Sequence, residues 1–209
     1  DLASFINSVM GEAYADGTMQ ELANTYGVQE ALLEQSASEF TASETDSDVK
    51  YIQDKGTLIV GITEFAPMDY QDANGQWIGF DADMAKLVAE KLGVEPEFIE
   101  GEWDGLLAGL DAGRYDIMVN GVDITPERAE KYDFSDPYYY EARRVVVRAD
   151  DDSIHGPEDL NGKKIATNTT NAFIPWYEEN GAEVVGIDTS AEAIDLVLSG
   201  RADFLGISV

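Results

Sequence analysis

The chain is 209 residues long and 44% hydrophobic, enough to bury a core in one domain or in two small lobes. Its 13 Lys and Arg stand against 42 Asp and Glu, a formal net charge of −29. The basic clusters that phosphate backbones require are absent, so nucleic acid is excluded as a partner, and repulsion from anionic membrane surfaces is expected. There is no cysteine, hence no disulfide, thiolate metal site or cysteine nucleophile; the one histidine, His155, lies in the acidic segment DDDSIHGPED, where a solvated side chain is expected rather than a catalytic triad.

In chain order, residues 1–15 place Leu2, Phe5, Ile6, Val9, Met10 and Tyr14 on one helical face. Asp16, Gly17 and Thr18 break that helix and start another, in which Met19, Leu22, Ala23 and Tyr26 point inward. Residues 1–35 therefore read as a docking helix pair. Residues 36–48, SASEFTASETDSD, are small, polar and acidic and read as a flexible linker.

After the linker, apolar runs predict strands at 58–62, 97–99 and 117–119, with helices at 82–92 and 103–112. Asn74 and Gly75 signal a tight turn between two short extended pieces, and Phe80, Met84, Leu87 and Val88 make a helical stripe. A further strand at 145–147 leads into an acidic loop at 150–159. A second series follows, with strands at 164–166, 184–187 and 204–207 and helices at 172–180 and 191–199. This alternation predicts an α/β fold of two lobes, 49–148 and 149–209, each a mainly parallel sheet flanked by helices. The segments LLAGLDAGRYDIMV and IDLVLSGRADFL repeat the order helix, Gly-Arg-x-Asp, strand; Gly113 and Gly200 read as helix C-caps, and Arg114 and Arg201 as structural cations at negative helix ends.

The segment NGVDITPERAEKYDFSDPY at 120–138 carries Arg128 just after a run, DIMV, that reads as a strand buried on both faces. Open α/β sheets place ligands at the carboxyl ends of their strands, and a planar guanidinium there can grip a carboxylate through two parallel hydrogen bonds. The alternative is a surface ion pair with Glu127, Glu130 or Asp133. Two other post-strand positions carry aromatics: Phe65, beside Glu64, after the first strand, and Trp103 at a helix start. With Arg128 they would form a slot with an apolar floor and a charged end. In the second series Thr169, Thr170 and Asn171 precede a helix, which they either simply cap or turn into an anion-attracting end. No phosphate-cradling glycine motif and no HExxH helix occurs, so neither a cofactor nor a metal is expected.

Taken together, GTLIVGITEFAPMDYQDANGQWIGFDADMAKLVAEKLG, EWDGLLAGLDAGRYDIMVNGVDITPERAEKYDFSDPYY and LNGKKIATNTTNAFIPWYEENGAEVVGIDTSAEAIDLVLSGRADFL resemble the type II solute-binding proteins that deliver polar amino acids to ABC transporters. The resemblance spans about residues 49–205 and implies two lobes that close on a small ligand. It implies that Arg128 holds the ligand's α-carboxylate, helped by backbone around Gly121 and Asp123 and by Thr169, Thr170 and Asn171. Phe65 and Trp103 match the aromatics that sandwich the ligand, and Glu64, Asn120 and Met118 are its candidates for side-chain selection. It also implies an extracellular or periplasmic location, lipid-anchored in the precursor, and an ABC transporter permease as partner.

Two departures accompany the resemblance. Where the family often has an acid for the α-ammonium, this chain has Ser208, which brings no charge. The opening residues 1–28 resemble the family's carboxyl-terminal helices, so the order reads as a circular permutation, a truncation or a cut from a tandem array, with lobe two incomplete and a complementary segment or tandem domain as an expected partner. The leading expectation is a non-enzymatic binding module; a dehydratase-like enzyme resembling cyclohexadienyl dehydratases and a ligand-sensing domain or biosensor part are the alternatives.

Overall fold

The computed structural model describes residues 1–141 and 143–208, with the side chains of Asp104, Arg143, Ile207 and Ser208 left aside. The chain divides into two compact units, Asp1–Tyr140 and Glu141–Val209. The division falls earlier than the expected 148/149 boundary. The strand after Tyr140 hydrogen-bonds within the second unit, and the pairing of that strand decides the matter.

The first unit opens with α1 (Leu2–Asp16) and α2 (Thr18–Tyr26). Their apolar stripes are buried: Val9, Met10, Ala13, Met19 and Ala23 are all nearly inaccessible. A further helix, α3 (Asp48–Lys55), precedes strand β1 (Thr57–Ile62). Strands β2 (Tyr70–Gln71) and β3 (Trp77–Ile78) form the expected antiparallel hairpin. Asp72 Oδ1 accepts from the N–H groups of Asn74 and Gln76 and fixes its turn. Then come α4 (Phe80–Leu92), β4 (Glu95–Glu100), α5 (Trp103–Asp111), β5 (Ile117–Met118) and the short α6 (Pro126–Ala129).

The main sheet of this unit is parallel, in the order β4-β1-β5. One core cluster joins Val9 of α1, Val49 and Ile52 of α3, Leu58 and Val60 of β1, and Val88 and Leu92 of α4. A second joins Met10, Met19 and Ala23 to Met68, Phe80 and Met84. Each fully buried Met or Phe here contributes about 1.5–3 kcal/mol by removal from water. Through these clusters α1 and α2 pack on α4, which in turn lies on β1.

The stretch before α3 has little regular structure but is packed. The Phe40 ring meets Phe5 edge to face at 5.1 Å. Asp1 accepts from Ser43 N–H and the Ser47 hydroxyl. The acidic composition spoke for a solvated linker, yet one aromatic is enough to hold the segment along α1. Composition also obscured α3, whose first residue, Asp48, overlaps the expected linker end and whose N-cap is Ser47.

Strand β5 corrects an expectation. It is half-buried, because it is the outer strand of the sheet among the described residues. Its lead-in residue, Asp116, is held by Lys55 Nζ at 2.6 Å and accepts from Ile59 N–H at 2.7 Å. The pair is mostly shielded, with side-chain exposures of 13% and 23%. Asp116→Ala leaves both donors without this acceptor and is expected to lower stability by about 2 kcal/mol in denaturant unfolding.

The second unit holds one four-stranded sheet in the order β6-β9-β7-β8, formed by β6 (Arg143–Val147), β7 (Lys164–Asn168), β8 (Glu183–Ile187) and β9 (Phe204–Ser208). β7 is parallel to β8 and β9, and β6 is antiparallel to β9. Helix α7 (Ile174–Glu179) brings Tyr177 against Phe204, and α8 (Ser190–Leu198) brings Leu196 and Val197 against Ala166 and Leu205. The internal echo is real in three dimensions: α5 leads to β5 and α8 to β9, through Gly113 at φ 65° and Gly200 at φ 72°. Arg201 hydrogen-bonds Ser199 beside the second of these turns, in keeping with a structural role.

Candidate functional site

The parallel registers decide where the candidate residues of the first unit lie. Ile62 is opposite Glu100 and Gly61 is opposite Met118, so β1, β4 and β5 all end at the same edge of one sheet. The loops leaving that edge carry Glu64 and Phe65, then Trp103, then Asn120, Gly121, Asp123 and Arg128. Sequence spacing alone placed each of them after a strand; pairing brings the three loops to one edge.

These loops are stitched together by backbone. Asn120 is buried at 5% exposure and its Oδ1 accepts from Thr63 N–H, which ties the third loop to the first. Gly101 N–H donates to Ile62 O and ties the second. Phe65 is half-buried and its loop is closed by paired bonds to Asp69. Asn120 thus ties the first and third loops together through its Oδ1. Glu64 is exposed.

Arg128 sits in α6, whose N-cap Thr125 accepts from Arg128 N–H and whose first residue is Pro126. Its Nη1 donates to Asp123 O at 3.0 Å, so the side chain is turned back toward its own loop. Among the described residues no carboxylate of Glu127, Glu130 or Asp133 lies within ion-pair distance of it. The surface-pair alternative thus loses its partners. A half-buried guanidinium held by a neutral carbonyl keeps its positive charge and several donors for an anion.

In the second unit Thr169, Thr170 and Asn171 follow β7, but they do not cap the next helix. That helix begins at Ile174 with Phe173 in the N-cap position and no side-chain cap. Thr170 instead donates to Asn168 Oδ1, and Asn171 donates to Thr167 Oγ1 while accepting from Phe173 N–H. The polar loop closes on itself, which threonine and asparagine do readily through their own backbone. Ser208 ends β9, at the carboxyl end of the same parallel strands; its side chain lies outside the described residues. His155 is exposed near Asp152, as its acidic surroundings suggested.

A groove of about 490 Å³ runs along the outer side of β5, lined by Leu2, Ile6, Met84, Leu110, Ile117 and Tyr138 among others. Met118 and Asn120 border it, whereas Arg128, Phe65 and Trp103 do not. The groove reaches the third loop at Asn120 and Val122 but not the residues suited to a charged ligand, Phe65, Trp103 and Arg128.

Sequence reasoning missed two carboxyls next to these loops. Asp69 and Asp81 are both fully buried. Asp81 Oδ2 accepts from Gly121 N–H at 3.2 Å and its Oδ1 from the Tyr138 hydroxyl at 2.9 Å. Burial, and next the charge of Asp81, push the Asp69 carboxyl far above the usual carboxylate range, against a smaller opposing pull from Ala82 N–H. The only hint in the sequence was Asp81 in the first turn of α4, where acids are common for helix-dipole reasons and carry no sign of burial.

The profile of the bacterial extracellular solute-binding proteins, family 3, matches residues 58–205. The chain belongs to that family. Over 175 residues this family 3 protein is 37% identical to a probable amino-acid ABC transporter-binding protein of Haemophilus influenzae, covering 83% of this chain and 68% of that relative. It is 35% identical over 156 residues to the L-cystine-binding protein TcyJ of Escherichia coli, covering 73% of this chain and 59% of the relative. The chain thus spans roughly three fifths to two thirds of the length of these relatives. Among solved structures it is similar to holo ArgBP from T. maritima, at TM-score 0.66 and 34% identity, covering 76% of this chain and 72% of that one. It is also similar to the ancestral amino acid-binding protein AncCDT-1, described as a precursor of cyclohexadienyl dehydratase, at TM-score 0.67 and 38% identity, covering 78% and 74%. The family 3 protein therefore has the type II fold expected from its sequence.

Proposed function

We propose that this family 3 protein captures a polar amino acid, or a similar small carboxylate, and presents it to an ABC transporter outside the cytoplasm. The observation that carries the reading is Arg128, preset by the Asp123 carbonyl with no carboxylate partner among the described residues, at the strand ends that also carry Phe65 and Trp103. A guanidinium free to accept a carboxylate, with aromatic surface on the neighbouring loops, suits a ligand with an anionic head and an aliphatic stem. Relatives named for amino acids and for cystine support the class, as does the arginine-binding name of a structural neighbour. Asp123 and Gly121 contribute backbone polar groups to the same loop, and Glu64 is assigned to one of the ligand's remaining polar groups.

A thermal-shift screen of the twenty amino acids and cystine tests the reading. Ligand binding only to the folded state at 100 times its dissociation constant adds about 2.7 kcal/mol, which raises the melting temperature by several degrees. At least one amino acid is expected to do so, and a flat screen would remove the assignment. The likeness to AncCDT-1 motivates a parallel incubation with prephenate: no product is expected, and turnover would overturn the non-enzymatic reading.

A further inference from the structure

The two buried carboxyls stand outside the ligand contacts, yet both are wired to the ligand loops. Asp69 closes the Phe65 loop: its N–H donates to Phe65 O and its carbonyl accepts from Phe65 N–H. Asp81 reaches the third loop through Gly121 N–H. The two residues are brought side by side because Asp81 and Ala82, in the first turn of α4, both donate to Met68 O. Tyr138 completes the cluster from the segment 137–140, which is pinned by Leu33 N–H to Tyr138 O and by Gln35 to Pro137 O.

The charge arithmetic is asymmetric. Neither oxygen of Asp69 has a well-formed hydrogen bond among the described residues, since the Ala82 N–H that weakly favours its charge is directed at Met68 O, although the residue is fully buried. A carboxylate in that position would be both unsolvated and beside a second anion, which is untenable without a proton. Asp81, by contrast, has donors from Gly121 and Tyr138 that favour its charged form. We propose that Asp69 and Asp81 are a positioning pair for the ligand loops, in which a proton held on Asp69 leaves Asp81 as the single buried anion that anchors Gly121. The word ligand in that statement rests on the function proposed above; the anchoring itself does not.

The pH sign follows from the proton. Above about pH 4 an unfolded chain has released the Asp69 proton while the folded protein keeps it. Folding then takes up one proton, so the pair's contribution to stability is full below the unfolded value and is lost as pH rises toward the folded value. The titratable groups facing Asp69 are Asp81 from α4 and, through it, Tyr138 and Tyr139 from the segment 137–140. Burial, and next Asp81, keep the Tyr138 phenol well above its usual range, so it does not share this titration at neutral pH.

The test compares ligand-free wild-type protein with Asp69→Asn and Asp81→Asn. Asp69→Asn keeps the shape and removes the titration, so its melting temperature is expected to exceed that of the wild type by an amount that grows between pH 5 and pH 9, reaching about 5 °C or more. Parallel curves would overturn the proton assignment. In two-dimensional amide NMR at pH 7, the Gly121 resonance is expected to stay in place in Asp69→Asn and to move upfield in Asp81→Asn, which lacks the carboxylate acceptor. An unmoved Gly121 resonance in a folded Asp81→Asn protein would overturn the anchor. Asp81→Glu, which keeps the charge but displaces it, is the second variant should Asp81→Asn not fold, with the same resonance expected to move. No readout here uses an amino acid, so failure of the anchor and failure of the ligand assignment are told apart.

Discussion

Arg128→Ala is expected to abolish amino-acid binding while the protein stays folded. A charge-assisted, two-pronged contact to a carboxylate is worth about 3 kcal/mol or more once partly desolvated, which corresponds to a loss of affinity of at least about 100-fold. The structural cost is small by comparison. In the free protein the guanidinium makes one hydrogen bond to the Asp123 carbonyl and the side chain is only half-buried. Truncation should therefore remove about 1 kcal/mol or less of stability. Titration calorimetry with the amino acid found by thermal shift checks the first figure, and a denaturation curve checks the second. Arg128→Lys separates charge from geometry: it keeps the cation but loses the planar fork, and a partial loss of affinity is expected. Unchanged affinity in Arg128→Ala would place the carboxylate elsewhere.

Gly79→Ala is expected to have the largest effect on stability. Gly79 is the N-cap of α4 at φ 123°, ψ 168°, a region essentially closed to side chains. A Cβ there would also overlap the Met68 carbonyl group. That carbonyl cannot retreat, since it accepts from Asp81 and Ala82 at the start of α4. Backbone strain and the displaced helix start add up to about 3–5 kcal/mol. Urea unfolding should show a midpoint far below that of the wild type. The same change displaces the first turn of α4, which carries Asp81, so the Gly121 resonance is expected to shift as well. A midpoint close to the wild-type value would mean that the hairpin and α4 can part without cost.

Much of the fold was legible because hydrophobic periodicity is local. The runs at 58–62 and 164–166, the stripe Phe80, Met84, Val88 and the turn at Asn74 and Gly75 each announce their element within a few residues, and each element is present. Element ends differed by one or two residues, as at 80–92 against the expected 82–92 and 174–179 against the expected 172–180. The cap expected of Thr169, Thr170 and Asn171 failed for a similar reason. A short polar side chain can bond forward to a helix or back to its own loop, and sequence does not choose between them.

The candidate site was legible in part. Phe65, Trp103 and Arg128 were each placed after a strand by pattern. What pattern could not supply was the partner of Arg128. Glu127, Glu130 and Asp133 surround it in sequence, and α6 turns it instead toward the Asp123 carbonyl. Nor could pattern reveal the selective burial of two aspartates in a chain with 42 acidic residues. Asp72 and Asp83 look no different from Asp69 and Asp81 as letters. The first bonds its own exposed turn, and the second pairs with Lys86 and Tyr26.

The sequence by itself determined the alternation of strands and helices, hence the parallel sheets and the strand ends on which the ligand candidates stand. Those features follow from spacing along the chain, where neighbours in sequence are neighbours in space. Only the tertiary structure decided that β6 belongs with β9, that β5 is an outer strand, and that Asp69 lies unpaired beside Asp81. These depend on which distant segments meet, and it is that meeting which removes water and turns an ordinary acidic residue into a buried, proton-holding one.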